Sequence, residues 1–72
     1  MSDMNVLDRI GHTTHSWNPK DASEVEAARA LFDTLVGKRY QAFRSDRHPS
    51  ERLKAFDPSV GEITFVPQLA GG

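Results

Sequence analysis

The chain is 72 residues long with a formal net charge of −1, 38% hydrophobic content and no cysteine. That is one domain near the lower size limit for a single core, with no disulfide framework, no thiolate metal site and no thiol nucleophile. No stretch is long and apolar enough for a membrane span, and Met1-Ser2-Asp3-Met4-Asn5 lacks the basic and apolar regions of a signal peptide, so a cytoplasmic protein is expected.

Residues 1–11 read as a polar N-terminal arm in which Val6, Leu7 and Ile10 offer the apolar contacts, as an added strand or as edge packing. His12-Thr13-Thr14-His15-Ser16-Trp17 is β-branched and aromatic enough for a strand, with Trp17 expected to cap the core, not to form a binding platform. A helix is predicted over Ala22 to Val36: Val25, Ala28, Leu31, Phe32, Leu35 and Val36 recur at three and four residues, while Glu24, Glu26, Arg29 and Asp33 fall mostly on the other side. Asp21 with Glu24 has capping-box spacing, and Ser23 with Glu26 offers the same spacing two residues later. Gly37 is expected in the left-handed position that ends the helix.

Tyr40-Gln41-Ala42-Phe43-Arg44 reads as a second strand, and Ser45 to Ser50 as a loop. Asp57-Pro58-Ser59-Val60-Gly61 carries turn chemistry that folds Leu53–Phe56 back on Glu62–Val66 as an antiparallel hairpin, Ile63 and Phe65 sharing one face. The alternative is a short helix starting at Pro49, with Leu53 and Phe56 at helical spacing. Gln68 to Gly72 follow as a flexible C-terminal tail. The expected core is Leu31, Phe32, Leu35, Phe43, Ile63 and Phe65, and the fold class is α+β, one helix packed on a small mixed sheet.

Charge is unevenly placed. Lys38, Arg39, Arg44, Arg47, Arg52 and Lys54 outnumber Asp46 and Glu51, whereas acids prevail before residue 38. The basic stretch, Lys38, Arg39, Arg44, Arg47 and Arg52 above all, suits contact with an acidic partner over about one Debye length of 10 Å. No aromatic interleaving accompanies the bases, so a solvated face is the plainer reading and nucleic acid is not an expected partner. His12 and His15 are three apart, which on a strand points them to opposite faces, so no metal site or cofactor is expected. Ser16, His15 and an aspartate lack the elbow and oxyanion loop of a hydrolase, and the glycines at 11, 37, 61, 71 and 72 are too scattered to cradle a phosphate.

The closing segment carries the strongest signal. Phe56-Asp57-Pro58, then Gly61-Glu62-Ile63-Thr64-Phe65-Val66-Pro67-Gln68-Leu69-Ala70-Gly71-Gly72, resembles the C-terminal hairpin and tail of the ubiquitin-like sulfur carriers, the family of the molybdopterin synthase small subunit and the thiamine-pathway carrier. Members typically show an acidic residue, an alternating apolar strand, a proline, a short apolar tail and Gly-Gly, which fall here on Glu62, on Ile63 and Phe65, on Pro67, on Leu69, and on Gly71 with Gly72. The resemblance implies a β-grasp fold that opens with an apolar hairpin supplying the central strand, and a carrier that is not itself an enzyme. It further implies that an adenylating enzyme activates the Gly72 carboxylate, for thiocarboxylate formation or for conjugation to an acceptor protein, with Pro67 and Leu69 docking the tail. Glycine at both positions leaves the carboxylate unhindered and the backbone free to thread a narrow channel. The rival expectation is a non-enzymatic structural or adaptor subunit, whose arm and tail order against neighbouring subunits of a virion or multiprotein complex.

Overall fold

Helix α1 (Ala22–Gly37) is set by its cap. The Asp21 carboxylate accepts the backbone N–H of Ser23 at 3.0 Å and of Glu24 at 3.3 Å, and the Ser23 hydroxyl at 2.8 Å. Glu24 reaches back past Asp21 to accept the Asn18 N–H at 3.0 Å, so the capping box closes around the whole Asn18–Asp21 turn. The far end departs from expectation. Gly37 does not take the left-handed conformation; the Lys38 N–H still donates to Thr34 and Leu35 carbonyls at 3.1 and 3.0 Å, which carries the helix through Gly37, and the reversal falls on Arg39 at φ 68°. Few non-glycine residues adopt that region.

The computed structural model describes residues 1–8 and 11–68. Its strands are β1 (Ser2–Asp8), β2 (Gly11–Trp17), β3 (Tyr40–Arg44), β4 (Glu51–Arg52) and β5 (Glu62–Pro67), in one sheet of order β2-β1-β5-β3-β4. β1 runs antiparallel to β2 and parallel to β5, and β3 is antiparallel to both β5 and β4. The domain is thus α+β, one helix packed on a mixed sheet of five strands.

Two expectations are corrected. The polar-arm description of residues 1–11 gives way to its added-strand alternative: Ser2–Asp8 form β1, hydrogen-bonded on both edges, with Ser2, Met4 and Val6 buried on the core side of the sheet. Asp3 and Asn5 lie on the open face, where Asp3 accepts the Ser16 hydroxyl at 2.6 Å and Asn5 accepts the Thr14 hydroxyl at 3.0 Å. The expected hairpin of Leu53–Phe56 on Glu62–Val66 is not formed, and no helix starts at Pro49. The turn exists, with Ser59 N–H on the Asp57 carboxylate at 2.9 Å, but it delivers β5 between β1 and β3. Full burial of Ile63 and Phe65 favours that central slot, because an edge position leaves a strand more open to water.

The core comprises Met4, Val6, Trp17, Ala28, Phe32, Leu35, Ala42, Val60, Ile63 and Phe65, with Leu31 half-buried at its margin. Phe43 is a correction: it pairs with Thr64 on the open face of the sheet, and the inward residue of β3 is Ala42, opposite Phe65. Trp17 is only 1% exposed, so it belongs to the core outright; its ring lies 5.6 Å from that of Phe56 and its Nε1–H donates to the Pro58 carbonyl at 3.2 Å. Trp17→Phe forfeits that bond and part of the packing, and is expected to cost about 1–3 kcal/mol in urea unfolding followed by circular dichroism.

Candidate functional site: the tail exit

β5 ends at Pro67, in register with Tyr40, and the Gln68 N–H donates to the Arg39 carbonyl at 3.1 Å. The left-handed turn at Arg39 therefore aims a carbonyl at the first residue beyond the last strand. Pro67, Gln68, Lys38 and Arg39 are exposed around this point. Leu69, Gly71 and Gly72, the other residues read as tail docking and activated end, lie outside the described residues.

The basic stretch does not form one patch. Lys38 and Arg39 stand at the tail exit, whereas Arg44, Arg47 and Arg52 lie toward the opposite end of β3, about 16 Å of extended chain away. Arg44 is engaged internally: Nε meets the Asp46 carboxylate at 3.0 Å and Nη2 at 3.1 Å, a two-pronged pair. Asp46 also accepts the Gly61 N–H at 3.0 Å, tying the loop after β3 to the turn before β5. Lys38, Arg39, Arg47 and Arg52 make no ion pair with another described residue. Sequence reasoning passed over the Asp46 clamp and the Gln68 bond. An acid two residues after Arg44 was the available signal for the first, and the second depends on a register that only the folded sheet sets.

The Arg44 guanidinium, and then the Gly61 N–H, hold the Asp46 carboxyl down at about 2. Asp21 and Asp57 are lowered too, chiefly by the hydroxyls of Ser23 and Ser59. A carboxylate depressed on folding adds stability above its unfolded pKa, and the contribution is lost as pH falls through the folded value. The Asp46 share is therefore expected to vanish between about pH 4 and pH 2. Thermal melts across that window test it: Asp46→Asn lowers the melting temperature at neutral pH and flattens the acid limb of the curve. The effect is modest because the pair faces solvent.

His12 pairs with Leu7 and His15 with Met4, which puts the two imidazoles on opposite faces of β2, and Ser16 faces away from His15 as well. Among the described residues no three His, Asp or Glu side chains gather as a metal site, and no helix is long and apolar enough to cross a membrane. Comparison with protein-family models, curated proteins and solved structures gives no match.

Proposed function

We propose that the domain is a ubiquitin-like carrier or modifier whose Gly71-Gly72 end is activated by an adenylating partner. The observation that carries this reading is the position of β5: it is paired on both edges at the centre of the sheet, and the Gln68–Arg39 bond holds the chain as it leaves. A tail that starts from such a strand has a fixed origin and direction, which is what threading into a partner's channel needs. The strand order β2-β1-β5-β3-β4, with the first hairpin supplying a central strand beside the last one, supports the β-grasp assignment. Lys38 and Arg39 offer an acidic partner two cations at the exit.

In the reaction, a carboxylate oxygen of Gly72 attacks the α-phosphorus of ATP and pyrophosphate leaves, giving an acyl-adenylate. A persulfide sulfur of the partner then adds at the acyl carbon and AMP departs. A thiol cleaves the resulting S–S bond, leaving the thiocarboxylate and a disulfide. Attack by a lysine amine in place of the persulfide gives conjugation to an acceptor protein. The domain supplies the electrophile and its presentation; the partner supplies the catalytic groups.

Intact-mass measurement of the protein from its native source tests the reading. The expected result is a fraction heavier by one oxygen-to-sulfur exchange, or covalently joined to another protein through Gly72. An unmodified chain that co-purifies in fixed ratio with a large particle would instead assign it to an assembly, and a native chain continuing beyond Gly72 would also sink the proposal.

A further inference from the structure

The two edges of the sheet are built differently. β4 is two residues long, carries Glu51 and Arg52, and follows Pro49 closely. Shortness, charge and a nearby proline are devices that keep an edge from recruiting another strand. β2 has none of them: it runs seven residues, contains no proline, lysine, arginine or acid, and is exposed at every position except Trp17. Among the described residues it pairs with β1 alone, and no described strand covers its outer backbone donors and acceptors. Beside it, between strand and helix, lies a cavity of about 130 Å³ walled by Ala27, Ala28 and Leu31 of α1, with Glu24 and Trp17 at its margin and His15 on the strand side. Thr13 and His15 share the helix-facing side of β2, because their register partners Val6 and Met4 are core residues.

We infer that this edge is covered by a second copy of the same chain, β2 pairing antiparallel with β2 about a two-fold axis through Thr14, the midpoint of the strand. That register sets Thr14 opposite Thr14, Thr13 opposite the second copy's His15, and His12 opposite its Ser16. No like charges meet, and Thr–Thr is a favourable cross-strand pair. A strand from another protein would gain the same backbone bonds, but β2 has no charged side chain with which to select it, whereas self-pairing needs none and repeats every favourable contact twice. A net charge of −1 adds little repulsion between copies. With the axis perpendicular to the sheet, both helices lie on one side, and the two cavities open toward each other across the joined strands.

Sedimentation velocity of the full chain over a dilution series tests this. Twice the monomer mass is expected at high concentration, reverting to monomer on dilution. The double variant Thr13→Glu/His15→Glu opposes acids at two symmetric pairs and should raise the dissociation constant about tenfold. Thr13→Lys/His15→Lys should do the same, and mixing the two variants should restore the dimer, a rescue that misfolded chains cannot give. Amide exchange on the unmodified chain is the independent measurement: protection within β2 should rise with protein concentration. A wild-type chain that stays monomeric, β2 protection independent of concentration, charged variants that dimerise as well as wild type, or a mixture that fails to associate would each overturn the inference. So would association of the β2 edge with an added strand-forming peptide in the absence of self-association.

Discussion

Phe32→Ala should lower the unfolding free energy by about 3–5 kcal/mol, the cost of removing a large buried ring and leaving its cavity. Phe32 is 2% exposed and joins the helix to the centre of the sheet and, through Phe56, to one of its edges: its ring is 5.3 Å from Phe65 of β5 and 5.6 Å from Phe56, which in turn is 5.6 Å from Trp17 of β2. Arg29 of α1 also meets this line, its guanidinium 5.6 Å from the Phe56 ring centroid, but Phe32 is the α1 residue buried within it. A domain of 72 residues has a total stability of about 4–11 kcal/mol, so the variant is expected to lose much of it and to be partly unfolded at 37 °C if the total lies near the lower bound. Urea titration by circular dichroism reads the change. Val36→Ala serves as control, since Val36 is 45% exposed and should shift stability by no more than about 0.5 kcal/mol. A loss below about 1 kcal/mol for Phe32→Ala would mean that the helix is not pinned through this ring.

Deleting Gly72 should abolish modification while leaving the fold unchanged. The last described contact of the chain with its sheet is the Gln68–Arg39 bond, and Ile63 and Phe65 are the core residues nearest that end. On the proposed function, shortening the chain removes the reacting carboxylate from its position, while every described strand and core residue is retained. Adding a residue after Gly72 has the same consequence, because the carboxylate then belongs to a different, hindered residue. Each variant, tagged at the N-terminus and expressed in the native host, is recovered and weighed intact. The modified fraction should fall to background in both, with melting temperatures equal to wild type. Persistence of the adduct in the deletion variant would show that the reactive group lies elsewhere.

Legibility from the amino-acid order followed the range of the interactions involved. Helix α1 was readable because the spacing of Val25, Ala28, Leu31, Phe32 and Leu35 and the Asp21 cap are all local, within a turn or two. β1 was hard to see because a strand with one open face alternates, so half of its residues look like solvent-exposed arm. Asp3 and Asn5 make sense only beside Ser16 and Thr14, which a hairpin brings up from elsewhere in the chain. The turn at Asp57–Gly61 announced a reversal but could not say which strand the chain would meet next, since turn chemistry is local and pairing is not. Phe43 went astray for the same reason: its face depends on register with β5. Val60, fully buried within a turn, gave no periodic signal at all. At the candidate site, Pro67 and the basic residues were visible in the chain, but their division between two ends of β3 needed the sheet.

The parallel pairing of Asp3–Val6 with Glu62–Phe65 joins the first and last strands of the domain, and β5 alone connects the β1–β2 hairpin to the β3–β4 pair. Nothing before residue 62 can close the sheet, so a nascent chain still holding that segment in the ribosomal exit tunnel has two separate half-sheets and an uncovered helix face. Folding must therefore wait until synthesis has passed β5, and long-range closure of this kind is slow compared with a helical bundle of equal length. For the proposed function the consequence is a built-in check: only molecules whose sheet has closed on β5 have Gln68 seated against Arg39, the ordered base from which a partner would take the tail.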